Sequence, residues 1–277
     1  MKTTKNLLLF LVFALSAILY SGCAKEVAKI AEKESITDRN SIFAEQTFTQ
    51  EEGQADAVLL TQQGKKSTDA GLMIGSTCLT VTYDLLATPM KATLDYGTTN
   101  CQCTDGKNRR GKIFVTFNGS MMDSLTQVSL TFDNYFVNEN QITGTRSTTT
   151  KGHNAAGHLN QDIATNGSII MANNVGTITY ISNHNREWTD GGSTLQTGDD
   201  VYSFTGSASG TTTTAKAFTT TITTPLVWKM SCTNFVSGVI ELKPAGDPKR
   251  VIDFGSGDCD ASATITVLGF SFQINLG

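Results

Sequence analysis

The sequence has little proline, little charge and almost no histidine, and each scarcity narrows the class of protein. Four prolines among 277 residues, together with 25 glycines, argue against a disordered low-complexity chain. Charged residues make up only 17%, and 21 basic residues face 25 acidic ones. This balance supplies no basic field that could hold a phosphate backbone, so we expect no nucleic-acid partner.

Long apolar runs are also missing, except near the start. Leu7–Tyr20 is apolar apart from Ser16, and it follows the basic residues Lys2 and Lys5. A run of this length is too short to span a bilayer, which needs about 20 residues, and is typical of a secretion signal. No other segment approaches 18 apolar residues, so we expect no second membrane crossing.

The end of this run predicts a lipid anchor. Small residues Ser21 and Gly22 stand immediately before Cys23, as in the bacterial lipobox, whose Cys thiol receives diacylglycerol and becomes the mature N-terminus. Tyr20 occupies the position where Leu, Val or Ile is usual. We therefore predict a lipoprotein signal peptide over residues 1–22. We also predict a membrane contact through lipid on Cys23, because two or more acyl chains make anchoring stable.

The stretch after the anchor predicts a tether and then a helix. Residues 23–37 are charged and lack aromatics, as expected for a short, helical or solvated tether. An imperfect apolar stripe predicts a helix from 41 to about 60, with Asp38 or Asn40 as its N-cap. Gly53 lowers the helical propensity of this segment.

From Leu72 onward the hydrophobic period changes to two, which indicates strands with one dry and one wet face. The C-terminus shows the pattern most clearly, with Phe270, Phe272, Ile274 and Leu276 alternating with polar residues. About a dozen such runs predict an all-β, antiparallel, sheet-rich single domain over 38–277, either a sandwich or large twisted sheets. The turn signals between runs include Asn118-Gly119, Asn166-Gly167 and Asp190-Gly191.

Two segments of the chain, about 77–119 and 231–269, follow the same plan. Each contains a Cys, a strand, a Pro-bearing turn, a strand that ends in Asp-aromatic-Gly, and another Cys before a further strand. The two versions of the central motif read "TLDYG" and "VIDFG". We expect Asp95 and Asp253 to cap turn amides, and Gly97 and Gly255 to adopt positive φ.

The repeated plan also indicates disulfides, because secretion would place these thiols in an oxidising compartment. It suggests a bridge between Cys232 and Cys259, and another between Cys78 and either Cys101 or Cys103. Apart from Cys23, five cysteines remain, so at least one has no intramolecular partner.

The motifs "TLDYG", "REWTDG" and "IDFGSGDCDASATITVLG", together with the lipobox-like Cys, resemble a family of Bacteroidota lipoproteins with a C-terminal "DFGxGxCD" segment. The resemblance covers the chain from about Thr77 to the end. It implies an exported lipoprotein and assigns no catalytic residue to this sequence.

Aromatic and basic residues in polar stretches are the candidate ligand contacts. Trp188 and Arg186 lie in "NHNREW", and Tyr135 lies in "DNYFVNEN". An exposed indole has both an apolar face and a donor, which suits stacking on a sugar or contact with a protein. We expect the three histidines to lie in solvent-exposed loops and not to bind a metal. We therefore predict neither a metal nor another cofactor. The histidines are His153, His158 and His184.

These patterns predict an outer-membrane lipoprotein, facing the periplasm or the cell surface, whose domain is a non-catalytic binding or structural module. One alternative is a carbohydrate-binding or adhesin-type surface protein with a glycan or protein partner. Another is a hydrolase with paired carboxylates contributed by separate strands. The candidate carboxylates for that alternative are Glu187, Asp190, Asp199, Asp200 and Glu241.

Overall fold

The structure of the protein is a computed structural model that describes residues 36–67 and 78–276. In this part of the chain, fourteen strands form one sheet and a helix, α1, covers 36–62. The strands are β1 Thr80–Asp84, β2 Met90–Asp95, β3 Cys101–Gln102, β4 Asn108–Phe117, β5 Gln127–Val137, β6 Asn140–His153, β7 Leu159–Met171, β8 Gly176–Asp190, β9 Val201–Thr211, β10 Ala217–Lys229, β11 Ser237–Pro244, β12 Arg250–Ser256, β13 Ser262–Val267 and β14 Phe270–Asn275. A 3-10 turn, Ala172–Asn174, joins β7 to β8.

The strand order is a simple meander. Every strand from β4 onward pairs antiparallel with the next strand in sequence, β2 lies between β1 and β4, and the short β3 adds to β4. The predicted antiparallel all-β class is confirmed. The strands form a single curled sheet, so of the two predicted arrangements the described residues show the large twisted sheet and not the sandwich.

The predicted helix is confirmed, but its surroundings differ from those of a surface helix. Every residue from 44 to 60 is buried, so α1 presents no polar face to solvent. The sheet curls around it, and strands from both halves of the meander reach it. The side chains that contact α1 include Tyr83 of β1, Tyr135 of β5, Arg146 of β6, Tyr180 of β8, Trp228 of β10 and Arg250 of β12.

The two predicted N-cap residues lie inside α1, so the capping prediction is wrong. Asp38 forms an ion pair with Arg250, with 3.3 Å between Oδ1 and Nε. Asn40 accepts hydrogen bonds from the backbone N–H of Thr213 at 2.9 Å and from its hydroxyl at 3.0 Å. Both polar side chains are therefore used for tertiary contacts. The predicted signal peptide, Cys23 and nearly all of the tether lie outside the described residues; 36 and 37 belong to α1.

The C-terminus of α1 is closed by a Schellman motif. The N–H of Lys65 bonds to the carbonyl of Leu60 at 2.8 Å, and the N–H of Gly64 bonds to the carbonyl of Thr61 at 3.0 Å. Gly64 has φ +67°, the left-handed conformation that this motif requires. The helix therefore ends at a defined point from which the chain turns toward the sheet.

The Asp-aromatic-Gly motifs of the two repeated segments each form a turn, here called a corner, with the predicted aspartate cap and glycine conformation. The carboxylates of Asp95 and Asp253 accept hydrogen bonds from the N–H groups of Gly97 and Gly255, both at 2.9 Å. These glycines have φ +79° and +90°. In each motif the aspartate caps the turn while the residues on either side of it are buried. Those buried neighbours are Leu94, Tyr96, Ile252 and Phe254.

A disulfide closes each corner. Cys78 pairs with Cys101 and Cys232 with Cys259, with Cα–Cα separations of 5.9 and 5.3 Å. Cys103 is buried and unpaired, so Cys101 is the partner of Cys78. Each bridge encloses a hairpin and stabilises the fold by roughly 3 kcal/mol in the chain-entropy treatment.

One predicted turn is wrong and shows how closely α1 packs against the sheet. Asn166-Gly167 lies within β7, where Gly167 faces the helix and a Cβ would lie 2.3 Å from the ring of Phe48. The glycine therefore allows close packing and does not reverse the chain. The Asn118-Gly119 signal follows β4, and the Asp190-Gly191 signal ends β8, as expected.

Gly53 has the same role on the helix side. A Cβ at Gly53 would lie 2.4 Å from the ring of Trp228. Glycine therefore fits this position despite its low helix propensity, because the ring of Trp228 occupies the space that a side chain at position 53 would need.

We predict that Gly53→Ala lowers the free energy of unfolding by about 1–3 kcal/mol, the usual effect of overpacking. Alanine in a helix interior normally stabilises by about 1 kcal/mol relative to glycine, so the sign of the effect is diagnostic. Urea unfolding followed by circular dichroism measures it. In a Trp228→Phe background the same substitution should be less harmful, whereas a stabilising effect in the wild-type background would contradict the packing.

Candidate functional site

The interface between α1 and the sheet is the most highly charged part of the interior. α1 carries five buried carboxylates, and the inward positions of four strands carry buried arginines. Burial of an ion is penalised by several kcal/mol unless a counter-charge and hydrogen bonds satisfy it. The pairing of these groups therefore decides whether the helix can occupy the interior. The carboxylates are Asp38, Glu45, Glu51, Glu52 and Asp56, and the arginines are Arg109, Arg146, Arg186 and Arg250.

Glu52 lies at the centre of this network. One of its carboxylate oxygens accepts hydrogen bonds from Nε and Nη2 of Arg146 at 2.9 and 2.6 Å, and Nη1 of Arg186 lies 3.6 Å from the same oxygen. The hydroxyl of Thr148 donates to the other oxygen. Burial acts to raise the pKa of Glu52, but the two guanidinium groups outweigh it and hold the pKa below its usual value. Glu52 is therefore ionised and fully paired.

Arg186 connects this centre to Asp56. Nη1 of Arg186 lies 2.6 Å from Oδ2 of Asp56, and its Nε donates to Gln161 at 3.0 Å. Burial raises the pKa of Asp56 to about 6, and the nearby Glu52 carboxylate acts in the same direction. The guanidinium group of Arg186 opposes both effects.

A second cluster lies between α1 and β4–β5. The guanidinium group of Arg109 binds Asp105 through two hydrogen bonds of 2.8 and 2.7 Å, and its Nε donates to the hydroxyl of Tyr135 at 3.1 Å. That hydroxyl in turn donates to Glu51 at 2.5 Å. Burial raises the pKa of Glu51, with Arg109 opposing the shift. Tyr135 is thus part of a hydrogen-bonded chain inside the protein.

Glu45 is held by β8. The hydroxyl of Tyr180 donates to one oxygen of Glu45, and Nδ1 of His184 lies 3.4 Å from the other. Burial lowers the pKa of His184, although the Glu45 carboxylate opposes this. His184 was expected in a solvent-exposed loop. That expectation is wrong, because its ring faces α1 from the middle of a long strand.

Lys66, just after the end of α1, binds the loop that follows β8. Its Nζ lies 2.6 Å from Oδ1 of Asp200 and also donates to the carbonyls of Gly191 and Gln196 at 2.9 and 2.7 Å. The same ammonium group lies 5.0 Å from the centre of the Trp188 ring, a cation–π distance. Burial raises the pKa of Asp200 to about 6, although the hydrogen bond from Lys66 opposes the shift.

The candidate ligand residues are interior, which corrects the expectation that they lie in exposed loops. Trp188 and Arg186 point into the interior from β8, and Tyr135 does so from β5. Even the most accessible of them, Trp188, exposes only 7% of its surface. The sequence did not predict β8 because several of its inward positions are polar. When both faces of a strand are polar, the sequence shows no alternation of apolar and polar residues. The inward positions are Ile178, Tyr180, Ser182, His184, Arg186 and Trp188.

Trp188 nonetheless borders a cleft of about 340 Å³ at the end of the sheet where α1 finishes. His158 also lines this cleft, and its Nδ1 lies 3.5 Å from Glu187. Over 36–67 and 78–276, no group of three or more His, Cys, Asp or Glu residues is arranged to hold a metal ion. The other lining residues include Met122, His153, Thr189, Asp190 and Gly192.

Each carboxylate of the hydrolase alternative is engaged by its neighbours. Asp200 binds Lys66, and Asp199 accepts a hydrogen bond from the hydroxyl of Thr194 at 2.9 Å. Asp190 accepts one from the N–H of Gly191 at 2.9 Å, at the cleft that Glu187 also approaches. Glu241 lies on β11, where it pairs with two lysines. Those lysines are Lys243 at 3.0 Å and Lys249 at 2.7 Å.

Comparisons with protein families, with curated proteins and with solved structures gave no match. In the part of the chain that the structure describes, no helix combines the length and the apolar character needed to cross a membrane. The interpretation of the site therefore depends on the geometry of this chain alone.

We predict that Glu52→Gln lowers the free energy of unfolding by about 3–5 kcal/mol, because it leaves the buried guanidinium group of Arg146 without its counter-charge and leaves Arg186 with Asp56 alone. Urea unfolding measures the loss. Glu241→Gln is the matched control: it removes a carboxylate from the outer face, and we expect a change within about 0.5 kcal/mol. A loss below about 1 kcal/mol for Glu52→Gln would show that the central pairing is not essential.

A second prediction concerns pH. Because the pKa of Asp200 is about 6 in the fold against the usual 3.8, the folded protein binds a proton in this window that the unfolded chain releases. The resulting stabilisation is complete below the unfolded pKa and is lost as pH rises through the folded pKa.

We therefore expect the wild type to gain stability relative to Asp200→Asn as pH falls from about 6 to about 4. Urea unfolding at a series of pH values measures the difference, with Asp199→Asn as a control for net charge. A flat or opposite dependence would contradict the buried environment of Asp200.

Proposed function

We propose that this chain is an exported lipoprotein, anchored through Cys23, whose sheet domain is a non-catalytic binding or structural module. The observation that carries the proposal is the pair of disulfides, Cys78–Cys101 and Cys232–Cys259, one at each repeated corner. Disulfides persist in oxidising compartments and are rare where thiols are kept reduced. The signal-like run in residues 1–22 gives the chain a route to such a compartment.

The chemistry of the outer face supports a body that stands in water beside the membrane. Along β6, for example, the outward positions are Thr143, Thr145, Ser147 and Thr149. A sheet face of small hydroxyl side chains stays solvated, while the acyl chains on Cys23 would supply the membrane affinity. We place the protein at the outer membrane, facing the periplasm or the cell surface.

The use of the interior charges supports a non-catalytic role. The buried carboxylates of α1 are directed at arginine, histidine and tyrosine side chains of the sheet and not at a cleft. A hydrolase of the two-carboxylate type needs two acids that face each other across a substrate site.

The carbohydrate-binding or adhesin alternative is favoured by one observation, the cleft that Trp188 and His158 line together. Arg186 and Tyr135 have different partners. They are bound to Asp56 and Glu51 of α1, so we propose that they position the helix and do not contact a ligand.

Metabolic labelling with an alkyne analogue of palmitate tests the anchor. We expect the wild-type chain to take up the label and to sediment with membranes, and Cys23→Ser to do neither. Cys103→Ser is the matched control, since it also removes one free thiol but leaves Cys23 in place, and it should label normally. Labelling of Cys23→Ser would contradict the proposal.

A further inference from the structure

The outer face of the sheet contains a groove that is separate from the Trp188 cleft. It crosses β6 to β9 and has a volume of about 500 Å³. Four outward side chains stand next to one another in the strand register along one side: Thr149, Asp162, Asn185 and Thr205. Three strand spacings of about 4.8 Å give this row a length of about 14 Å.

The middle of the row is held in a fixed arrangement by hydrogen bonds. The side-chain amides of Asn160 and Asn185 donate to each other's oxygens at 3.0 and 2.8 Å. Asn185 also donates to Oδ1 of Asp162 at 3.0 Å. The planes of these groups are therefore set before any ligand arrives, which lowers the entropy that binding would lose.

Asp162 is an ionised acceptor in this row. Hydrogen bonds from Asn185 and from Lys151, whose Nζ lies 3.1 Å from Oδ2, hold the pKa of Asp162 below its usual value. Because Lys151 balances the carboxylate, this part of the groove has no net charge. An ionic ligand would gain little from it, whereas a neutral polar ligand would meet both acceptors and donors.

The groove exists because the neighbouring positions are small or turn inward. Ser147, Ala164 and Asn183 form the next row, and the register aligns them across β6, β7 and β8. Between the two rows the side chains of Ile163 and His184 face the interior, so only their backbone contributes to the floor. Glycine at 206 adds no side chain on β9.

We propose that this groove binds a neutral oligosaccharide. Sugar hydroxyls act as both donors and acceptors, and adjacent hydroxyls can bond to the two oxygens of a carboxylate or to the oxygen and nitrogen of an amide. Asp162 offers its carboxylate oxygens and Asn185 its amide oxygen as acceptors, since the amide hydrogens of Asn185 are already bonded within the row, and Thr149 and Thr205 extend the hydroxyl-binding row at both ends. The inference deepens the proposed binding module and rests on that function.

The groove suits such a ligand better than the Trp188 cleft does. At the cleft the indole is almost covered, and Gly192 lies so close that a Cβ there would be 3.6 Å from the ring. A sugar could not stack on that ring without displacement of the loop. The side chains of Asp162 and Asn183, in contrast, are already exposed.

A glycan array probed with the detergent-solubilised full chain tests the proposal, with titration of each neutral oligosaccharide that binds. We expect Asn185→Ala and Asp162→Ala each to weaken binding about tenfold or more, since each removes hydrogen bonds to the ligand. Asn166→Ala is the matched control, because it shortens an exposed asparagine of β7 outside the groove, and it should change the affinity less than twofold. Circular dichroism verifies that all variants are folded.

The following results would overturn the inference. Binding that survives both groove substitutions would place the glycan elsewhere, and loss in His158→Ala instead would indicate the Trp188 cleft. Binding only of charged glycans, or of no glycan, would contradict the assigned ligand class. The first of these results leaves the proposed binding module intact, and palmitate labelling tests the export and anchoring separately.

Discussion

The structure depends on the neutralisation of an acidic helix inside a β-sheet. A helix that carries Glu45, Glu51, Glu52 and Asp56 cannot enter a low-dielectric interior unless each carboxylate meets a cation or a donor there. Strands that are far apart in the meander supply these partners. The polar pairs thus determine where α1 lies in the interior, and hydrophobic side chains pack between these pairs. The neighbouring rings of Trp188, Tyr202 and Trp228 are an example of this packing.

This requirement also fixes the register of the sheet. A slip of one residue would move Arg146 or Arg186 to the outer face and leave Glu52 unpaired in the interior. Hydrophobic patterns alone tolerate some exchange between similar side chains, whereas an ion pair with two hydrogen bonds tolerates little. The disulfides then link segments at the two corners, one beside the edge strand β1 and one around the β11–β12 hairpin.

The sequence predicted those parts of the fold in which local pattern and tertiary role agree. Alternation in the strands, the Asp-aromatic-Gly turns at Asp95 and Asp253 and the pairing of Cys232 with Cys259 all belong to this group. Trp188, Arg186 and Tyr135 were misplaced because a polar interior removes the contrast from which burial is inferred. Gly53 and Asn166-Gly167 indicated breaks in regular structure, yet both glycines lie within regular elements. Their missing side chains leave space for a neighbouring aromatic ring. The groove around Asp162 has no sequence signal, since it arises from the register of four strands.

The meander has a consequence for the order of assembly. Each strand of the meander finds its partner nearby in sequence, but Glu52 must find Arg146 across 94 residues, and Gln46 must find Asn234 across 188. Local hairpins therefore close early, and the enclosure of the helix comes late. Until then the acidic side chains favour hydration of the α1 segment, which reduces the tendency of its apolar residues to associate with other chains. The carboxylates that require counter-charges in the folded interior thus also favour the solubility of the α1 segment before it is enclosed.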